Sequence, residues 1–594
     1  MLESLRREYI YIGCIARTLW RMRHVGPDSA RSIVDIVEEI VAKRPTNTAV
    51  LYQDRTLSYR QFDEGANRIA RWALAQGIKR GEAVALLMEN RPEYLMSWIG
   101  LLKLGAVAAL INTNLRGAAL AHSIAISGAR HAIVSAELGE AYNEAATQLD
   151  HRPIAWSAGG VFLGARELDS ALALLSPAPI GKSARAGITG KDTALYIFTS
   201  GTTGLPKAAR FTHMRMLYMM YGFAGALNTK ASDRTYVALP LYHATGGICA
   251  VGMALTVGGA LILRRKFSAH EFWDDCRTYR ATIFQYIGEL CRYLLNAPAD
   301  PRDGSHSIRA ISGNGMRPEI WPSFQKRFAI PRIVEFYGAT EGNVSMLNYD
   351  GTVGAVGRLP RYMRSIFTNR LVRFDIAEEK PVRGRDGFCI ECAPDEVGEA
   401  IGRISKEAGH TFDGYTGEAD TQKKILHDAF EKGDAWFRTG DLMRQDKHGY
   451  FYFVDRVGDT YRWKGENVAT SEVSEALSVV PGVQQVNVYG VAVPGAEGRA
   501  GMAALVAGQE FDPASLAEKI TGSLAPFARP IFLRLRPEME ITGTFKLKKA
   551  DLVKDGFDPD RINDPLYWFN SGHACYEPLT HEVYALIAAG RVKL

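Results

Sequence analysis

The chain has 594 residues, 47% hydrophobic and 23% charged, with a formal net charge of +6. That length exceeds what one hydrophobic core serves, so two or more domains are expected in a globular rather than disordered or collagenous protein. So small a charge spread over the chain gives no argument for nucleic acid, and no nucleic-acid module, heptad run or internal repeat accompanies it.

Residues 1–30 stand apart. Ile12, Ile15, Ala16 and Leu19 recur at helical spacing, with Arg6, Arg7, Arg17, Arg21, Arg23 and His24 around them. A short basic amphipathic helix either lies at an anionic membrane surface or docks on the protein's own body, and the residues alone leave both open. It is too short to span, and no apolar core with a small-residue cleavage site marks a secretory signal. From residue 32 to about 185, helices alternate with short apolar strands. Leu57-Ser58-Tyr59 leads into a helix over 62–74, a strand follows over 83–87, a helix over 93–104, and Gly105 turns into a strand over 107–111. This alternation predicts a mostly parallel, doubly wound sheet. Residues 151–190, rich in Gly, Ala, Ser and Pro, predict a weak strand pair and a loop.

The functional reading turns on Tyr196-Ile197-Phe198-Thr199-Ser200-Gly201-Thr202-Thr203-Gly204-Leu205-Pro206-Lys207. A strand over 194–198 breaks into hydroxyls and glycines, and a strand-like pattern resumes over 208–211 ahead of Thr212, a candidate helix cap. Glycines let backbone N–H groups approach oxyanions, hydroxyls add donors and Lys207 adds positive charge, which together make an anion cradle. It is not a Walker A loop, which needs Gly-Lys-Ser/Thr opening a helix. The Met- and Tyr-bearing helix over 213–227 reads as core. Leu239-Pro240-Leu241-Tyr242-His243 ends a strand at a histidine beside glycines. Residues 244–263 carry no charge over a spanning length, but their five glycines favour a buried helix, a Gly-Gly turn and a buried strand.

Ala310-Ile311-Ser312-Gly313-Asn314-Gly315-Met316 is a strand entering a glycine-rich turn. Glu335-Phe336-Tyr337-Gly338-Ala339-Thr340-Glu341-Gly342-Asn343 supplies a ring to stack on a base, a hydroxyl for a phosphate and a carboxylate for Mg2+. Residues 345–430 predict a small β-rich subdomain. Within it Cys389 and Cys392 lack a second pair or a histidine cluster and read as alternating strand residues; the seven scattered cysteines suit a reducing, cytoplasmic compartment. Trp436-Phe437-Arg438-Thr439-Gly440-Asp441 and Gly449-Tyr450-Phe451-Tyr452-Phe453-Val454-Asp455-Arg456 bring a carboxylate for ribose hydroxyls and an arginine for ribose or phosphate. Gly458 can absorb a large backbone rotation. Beyond it, strands over 483–493, 502–506 and 531–535 and a helix over 513–523 predict a compact α+β cap.

These motifs closely resemble those of the ATP-dependent adenylate-forming superfamily of acyl-CoA synthetases, luciferases and peptide-synthetase adenylation domains. Gly313-Asn314-Gly315, Tyr337-Gly338-Ala339-Thr340-Glu341-Gly342-Asn343, Asp459-Thr460-Tyr461-Arg462-Trp463-Lys464-Gly465-Glu466-Asn467 and Thr542-Gly543-Thr544-Phe545-Lys546 resemble one branch. That branch is the fatty acid transport proteins and very-long-chain acyl-CoA synthetases, with bacterial FadD-type fatty-acid–CoA ligases. The likeness runs from about residue 30 to the end. It departs at Ala208-Ala209, where Gly-Val is usual, and in having no long membrane span before residue 30.

The resemblance implies an α/β fold. An AMP-binding N-terminal domain over 31–456, with doubly wound sheets and a β-rich subdomain, would follow the amphipathic segment 1–30. A small mobile α+β C-terminal domain over 457–594 would carry the catalytic lysine. ATP is implied to contact Thr199, Ser200, Gly201, Thr202, Thr203, Gly204 and Lys207, then Gly313, Asn314 and Gly315, then Tyr337, Gly338, Thr340, Asp441, Tyr452 and Arg456. By the same resemblance Tyr337 stacks on adenine, Thr340 touches the α-phosphate side, Glu341 binds Mg2+, and Asp441 takes the ribose. Tyr242 and His243 form the substrate gate and carboxylate-side wall. Lys464 and Gly465 face the CoA pantetheine. Lys546 is the catalytic lysine, with Lys548 and Lys549 as close rivals. Lys207, Thr340, His243 and Lys546 form the implied catalytic set.

The implied reaction joins a long- or very-long-chain fatty acid to AMP with loss of pyrophosphate, then moves the acyl group to CoA, coupled to fatty acid uptake. Two alternatives keep the motifs: a fatty acyl-AMP ligase serving a separate carrier protein, since fewer than fifty residues follow Lys546, and a lipid transporter with vestigial ligase activity. The expected partners are the fatty acid, CoA and an anionic membrane touched peripherally at its inner face, with a homodimer allowed.

Overall fold

A computed structural model of the protein describes residues 2–200, 205–339, 342–376, 378–405, 411–496, 498–541, 547–592 and 594, and of Ser200 the backbone only. Two mostly parallel sheets and one antiparallel sheet precede Gly458, and a five-stranded sheet follows it.

The first parallel sheet runs Arg166–Glu167, Ile154–Ala158, His131–Ser135, Ala83–Leu87, Val107–Leu110 and Thr193–Ser200, with Pro206–Thr212 antiparallel at its edge. Its central strands are short and buried, as a sheet covered on both faces requires. Local chemistry sets the connections. The helix Tyr59–Ala75 opens on a capping box, Gln61 N donating to Ser58 Oγ at 3.2 Å and Ser58 N to Gln61 Oε1 at 2.9 Å. Pro92 begins the helix Pro92–Leu102 at the one position where its missing N–H costs nothing.

The second sheet aligns Thr48–Tyr52, Ala260–Leu263, Arg234–Val237, Ile283–Ile287, Ala310–Asn314 and Ile333–Gly338 in parallel, with antiparallel edges at Arg55–Ser58 and Ser345–Asn348. The alternation over 32–185 predicts one sheet, yet Arg55–Ser58 pairs with Thr48–Tyr52 in this second one. There Val50 pairs with Leu261. Residues 244–263 form a buried π-helical stretch Ala244–Ala250, a helix Val251–Leu255 and a buried strand Ala260–Leu263. No helix among the described residues is long and apolar enough to cross a membrane.

The helix His213–Ala226 is core: Met214, Met216, Leu217, Met220 and Phe223 are all buried. The N-terminal helix Leu2–Met22 docks on it, Cys14 Sγ reaching Ala226 O and Thr18 lying against Gly225, while Tyr11 packs on the Tyr349 ring. A Cβ on Gly225 would meet Thr18 Oγ1 at 2.3 Å, so the two helices approach closely only because residue 225 is glycine.

Asn369–Asp375, Val397–Arg403, Ala435–Gln445 and Tyr450–Arg456 make up most of the antiparallel sheet, extending the expected β-rich region through residue 456. All seven cysteines are free thiols, Cys389 buried and Cys392 partly so. Past Gly458, Val483–Val491, Ala500–Ala507, Phe532–Arg536, Leu566–Asn570 and Cys575–Pro578 form a sheet around its own core, including Val488, Leu505, Phe532 and Trp568. Its last two strands and the helix His581–Ala588 lie in a stretch the sequence reading left unassigned.

Candidate active site

The quoted motifs before the antiparallel sheet lie at or beyond the carboxyl ends of parallel strands, where open α/β sheets bind ligands. The cradle joins two antiparallel strands, with Thr199 opposite Lys207 and Ser200 opposite Pro206. Lys207 thus stands on a strand, not at a helix N-terminus. Gly201, Thr202, Thr203 and Gly204 lie outside the described residues. Lys207 Nζ is 2.8 Å from Asp420 Oδ1 and 5.8 Å from the Tyr415 ring centroid. Residues 414–416 run along the hairpin's outer strand, Arg210 N donating to Gly414 O and Thr416 N to Ala208 O. The β-rich region thereby reaches the hairpin.

The nucleotide-side residues converge. Tyr337, near the end of Ile333–Gly338, donates its hydroxyl to Asp441 Oδ2. Arg456, opposite Asp441 in the next strand, places Nε 3.5 Å from Asp441 Oδ1. Burial first, and the adjacent Asp441 carboxylate second, push the Tyr337 phenol well above its usual range. Asp441 is fixed from behind: its N–H donates to Thr439 Oγ1 at 3.0 Å, and fully buried Glu399 accepts from Arg438 and, at 3.1 Å, from Gly440 N. The strand that carries Asp441 runs Ala435–Gln445. Tyr452 lies four residues before Arg456, its ring beneath the Arg444 guanidinium at 4.1 Å and its hydroxyl 3.4 Å from Asp446. Thr340 and Glu341 lie outside the described residues.

The Gly313-Asn314-Gly315 turn is tightly packed. A Cβ at Gly313 would meet Tyr286 O at 2.3 Å, and one at Gly288 would meet Gly315 O at 1.6 Å. Gly315 adopts φ +80°. Asn314 Oδ1 is buried without a hydrogen-bond partner among the described residues, an acceptor that the amino edge of adenine can satisfy. Together with the Tyr337–Asp441–Arg456 group, this orphan acceptor fits an adenine nucleotide.

Sequence reasoning gave no role to Glu335. It is buried between strands, accepts from the Tyr286 hydroxyl and from Met316 N at 3.1 Å, and thus ties the glycine turn to two neighbouring strands. Burial, the largest influence, pushes its carboxyl up to about 8 against the pull of these donors. The signal was present in the sequence, as a lone acid inside the apolar strand Ile333–Gly338.

His243 precedes the Ala244–Ala250 stretch and is half-buried, its ring 4.8 Å from that of Tyr242. Asn114 Nδ2 donates to the Tyr242 hydroxyl at 2.9 Å, and Asn90 bonds both Leu239 O and Leu241 N. Asn90 and Asn114 also escaped the sequence reading, being far from Tyr242 in the chain.

Gly458 has φ +91°, a conformation that favours glycine, with open space around it. Asp455 spans this junction, accepting from Thr470 N and Oγ1. Lys464 and Gly465, both at positive φ, make the exposed two-residue turn between Tyr461–Trp463 and Glu466–Val468. Lys546 lies outside the described residues. Of its rivals, Lys549 bonds Asp459 and Thr470 beside the junction, and Lys548 faces Glu540 at 3.4 Å. One compact group able to hold a metal among the described residues, His573, Cys575 and Glu577, lies at the edge strand of the C-terminal sheet, where His573 already pairs with Glu577.

Comparison with known proteins agrees with this architecture. The family described as AMP-binding enzyme matches residues 37–399, and the AMP-binding enzyme C-terminal domain matches residues 472–546. Long-chain fatty acid transport protein 2 of Rattus norvegicus is 41% identical over 598 residues, spanning 99% of this chain and 95% of that protein. Long-chain fatty acid transport protein 1 of Mus musculus is 41% identical, spanning 100% and 93%. In fold, the chain is similar to the anthranilate CoA ligase AuaEII in complex with anthranoyl-AMP, at TM-score 0.75 and 21% identity over 89% of this chain and 97% of that one. It is also similar to the Mycobacterium tuberculosis fatty acyl CoA synthetase, at TM-score 0.62 and 24% identity over 89% and 98%. The chain therefore belongs to the AMP-binding enzyme family, with the long-chain fatty acid transport proteins as its full-length relatives.

Proposed function

We propose that the protein is an ATP-dependent, AMP-forming ligase that converts long- or very-long-chain fatty acids to their CoA thioesters and so couples their uptake to activation. The observation that carries this reading is the Tyr337–Asp441–Arg456 group beside the carboxyl ends of the parallel strands, in a chain 41% identical along its length to a fatty acid transport protein.

In the first half-reaction a fatty carboxylate oxygen bonds to the α-phosphorus of ATP and pyrophosphate departs. Tyr337 holds the base, Asp441 the ribose hydroxyls and Arg456 the nucleotide, while the cradle hydroxyls, its backbone N–H groups and Lys207 receive the phosphates. Positioned donors and cations act here chiefly by stabilising charge that moves onto the leaving group. Mg2+, when bound, neutralises phosphate charge, and Glu341 is the carboxylate assigned to it. Thr340 and Lys546 approach the α-phosphate, and His243 walls the carboxylate. In the second half-reaction the domain over 457–594 turns about Gly458, the segment of Lys464 and Gly465 faces CoA, and the thiol displaces AMP from the acyl carbonyl.

The proposal extends to peripheral contact with the inner face of an anionic membrane. On the N-terminal helix, Tyr11, Cys14 and Thr18 face inward, while Leu2, Leu5, Tyr9, Ile12, Leu19 and Trp20 are each more than half exposed. Arg6, Arg23 and His24 are exposed on the same segment, as a helix lying in a headgroup layer requires.

The test is a coupled assay with ATP, Mg2+, CoA and fatty acids of increasing length. One acyl-CoA for each pyrophosphate is expected. Acyl-adenylate accumulating despite CoA would instead indicate a carrier-protein acceptor. Uptake retained by Lys546→Ala without ligase activity would indicate a separate transport role.

A further inference from the structure

The two stretches assigned to the phosphates, 199–207 and 337–343, are separated by more than a hundred residues, and one side chain joins their surroundings. Arg215 stands in the first turn of the helix His213–Ala226, directly after the cradle hairpin, and its N–H completes the Thr212 cap at 3.3 Å. Its Nη2 donates to Ala339 O at 3.3 Å and also to Gly342 O, the carbonyls that bracket residues 340 and 341. The guanidinium lies 4.5 Å from the Phe211 ring centroid, and Asp413, which accepts from Thr212 Oγ1 at 3.3 Å, is close enough for the Arg215 charge to act on its carboxyl. From the other side, a Cβ on Gly342 would meet the Phe437 ring at 2.0 Å, so Gly342 is held against that ring with no slack. Gly342 N also donates to Ala339 O at 3.3 Å. A planar guanidinium can serve two carbonyls and a ring face together, which a lysine ammonium does not reproduce.

We propose that Arg215 is a positioning residue for adenylate formation, fixing Ala339 and Gly342 against the base of the cradle hairpin so that the two stretches assigned to the phosphates serve the same ATP. This rests on the ligase reading above. It assigns Arg215 no contact with substrate. It also separates the half-reactions: attack on the α-phosphorus needs both stretches in register, whereas CoA attack on a finished acyl-adenylate no longer involves the pyrophosphate.

The experiment compares wild type, Arg215→Lys and Arg215→Met in three measurements. These are fatty-acid-dependent pyrophosphate release, thioester formation from supplied acyl-adenylate and CoA, and calorimetric ATP binding with Mg2+. Loss of charged hydrogen bonds sets the expected scale. Pyrophosphate release should fall about tenfold or more in Arg215→Met and less in Arg215→Lys. ATP affinity should follow the same order, and thioester formation should stay within about twofold of wild type. Pyrophosphate release near the wild-type rate in Arg215→Met overturns the proposal. So does a parallel loss of both half-reactions with a lowered unfolding midpoint, which marks a general structural role. Wild type that releases no pyrophosphate overturns the ligase reading instead, so the two failures are distinguishable.

Discussion

Asp441 accepts from Tyr337, sits 3.5 Å from Arg456 and is backed by Thr439, so its carboxylate is held in place by the protein alone. Replacing it with alanine removes a charged acceptor worth about 1.5–3 kcal/mol. Asp441→Ala should therefore raise the KM for ATP by about ten- to hundredfold in steady-state kinetics, with a smaller change in the KM for CoA. Glu335 yields a prediction with a pH sign. Its folded-state carboxyl titrates near 8 against 4.5 for the ordinary group. Between those values the folded chain holds a proton that the unfolded chain has released, so this contribution to stability is full below about 4.5 and is lost as pH rises through about 8. Glu335→Gln keeps an acceptor for Met316 N and cannot ionise. Unfolding midpoints recorded across this range should fall with pH more steeply in wild type than in Glu335→Gln. Tyr337 and Asp441 were legible as separate motif residues, but their mutual hydrogen bond was not, because a hundred residues lie between them. The role of Glu335 was hidden because its partners, Tyr286 and Met316, come from other strands.

Among elements, the hairpin carrying the cradle was the most legible. Apolar alternation, a glycine-rich break and renewed alternation are local signals, and Thr212 following them is a cap in both sequence and structure. Loss of such a cap typically costs about 1 kcal/mol. Thr212→Ala should lower the unfolding free energy by about that amount in denaturant titration, with an added effect on Asp413, which loses a donor. Helix and strand assignments over 83–111 and 483–536 held closely for the same local reason. Sheet membership was not legible locally. Thr48–Tyr52 has a pattern that suits either parallel sheet, and its pairing with Ala260–Leu263 is decided by burial across the fold. The N-terminal helix shows how two readings of one periodicity can both describe a helix: Tyr11 and Cys14 pack inward while Tyr9 and Ile12 remain exposed.

At the scale of the whole molecule, the catalytic reading divides its parts across Gly458. A proline there is held near φ −65°, far from the +91° observed. If each half-reaction needs its own setting of this residue, Gly458→Pro should slow one half-reaction at least about tenfold while sparing the other. Equal losses in both would remove the hinge role. The relation of the cap to the body was not legible beyond a glycine at the right place, since bonds such as Thr470 N to Asp455 Oδ2 and Ser478 Oγ to Glu319 Oε1 depend on how separate cores dock. The most direct measurement of the adenylation chemistry is exchange of labelled pyrophosphate into ATP by the purified chain with Mg2+, with and without fatty acid and CoA. Exchange that requires fatty acid, proceeds without CoA and falls in Asp441→Ala is the expected result. Protein that binds ATP yet exchanges no pyrophosphate with any fatty acid would contradict it.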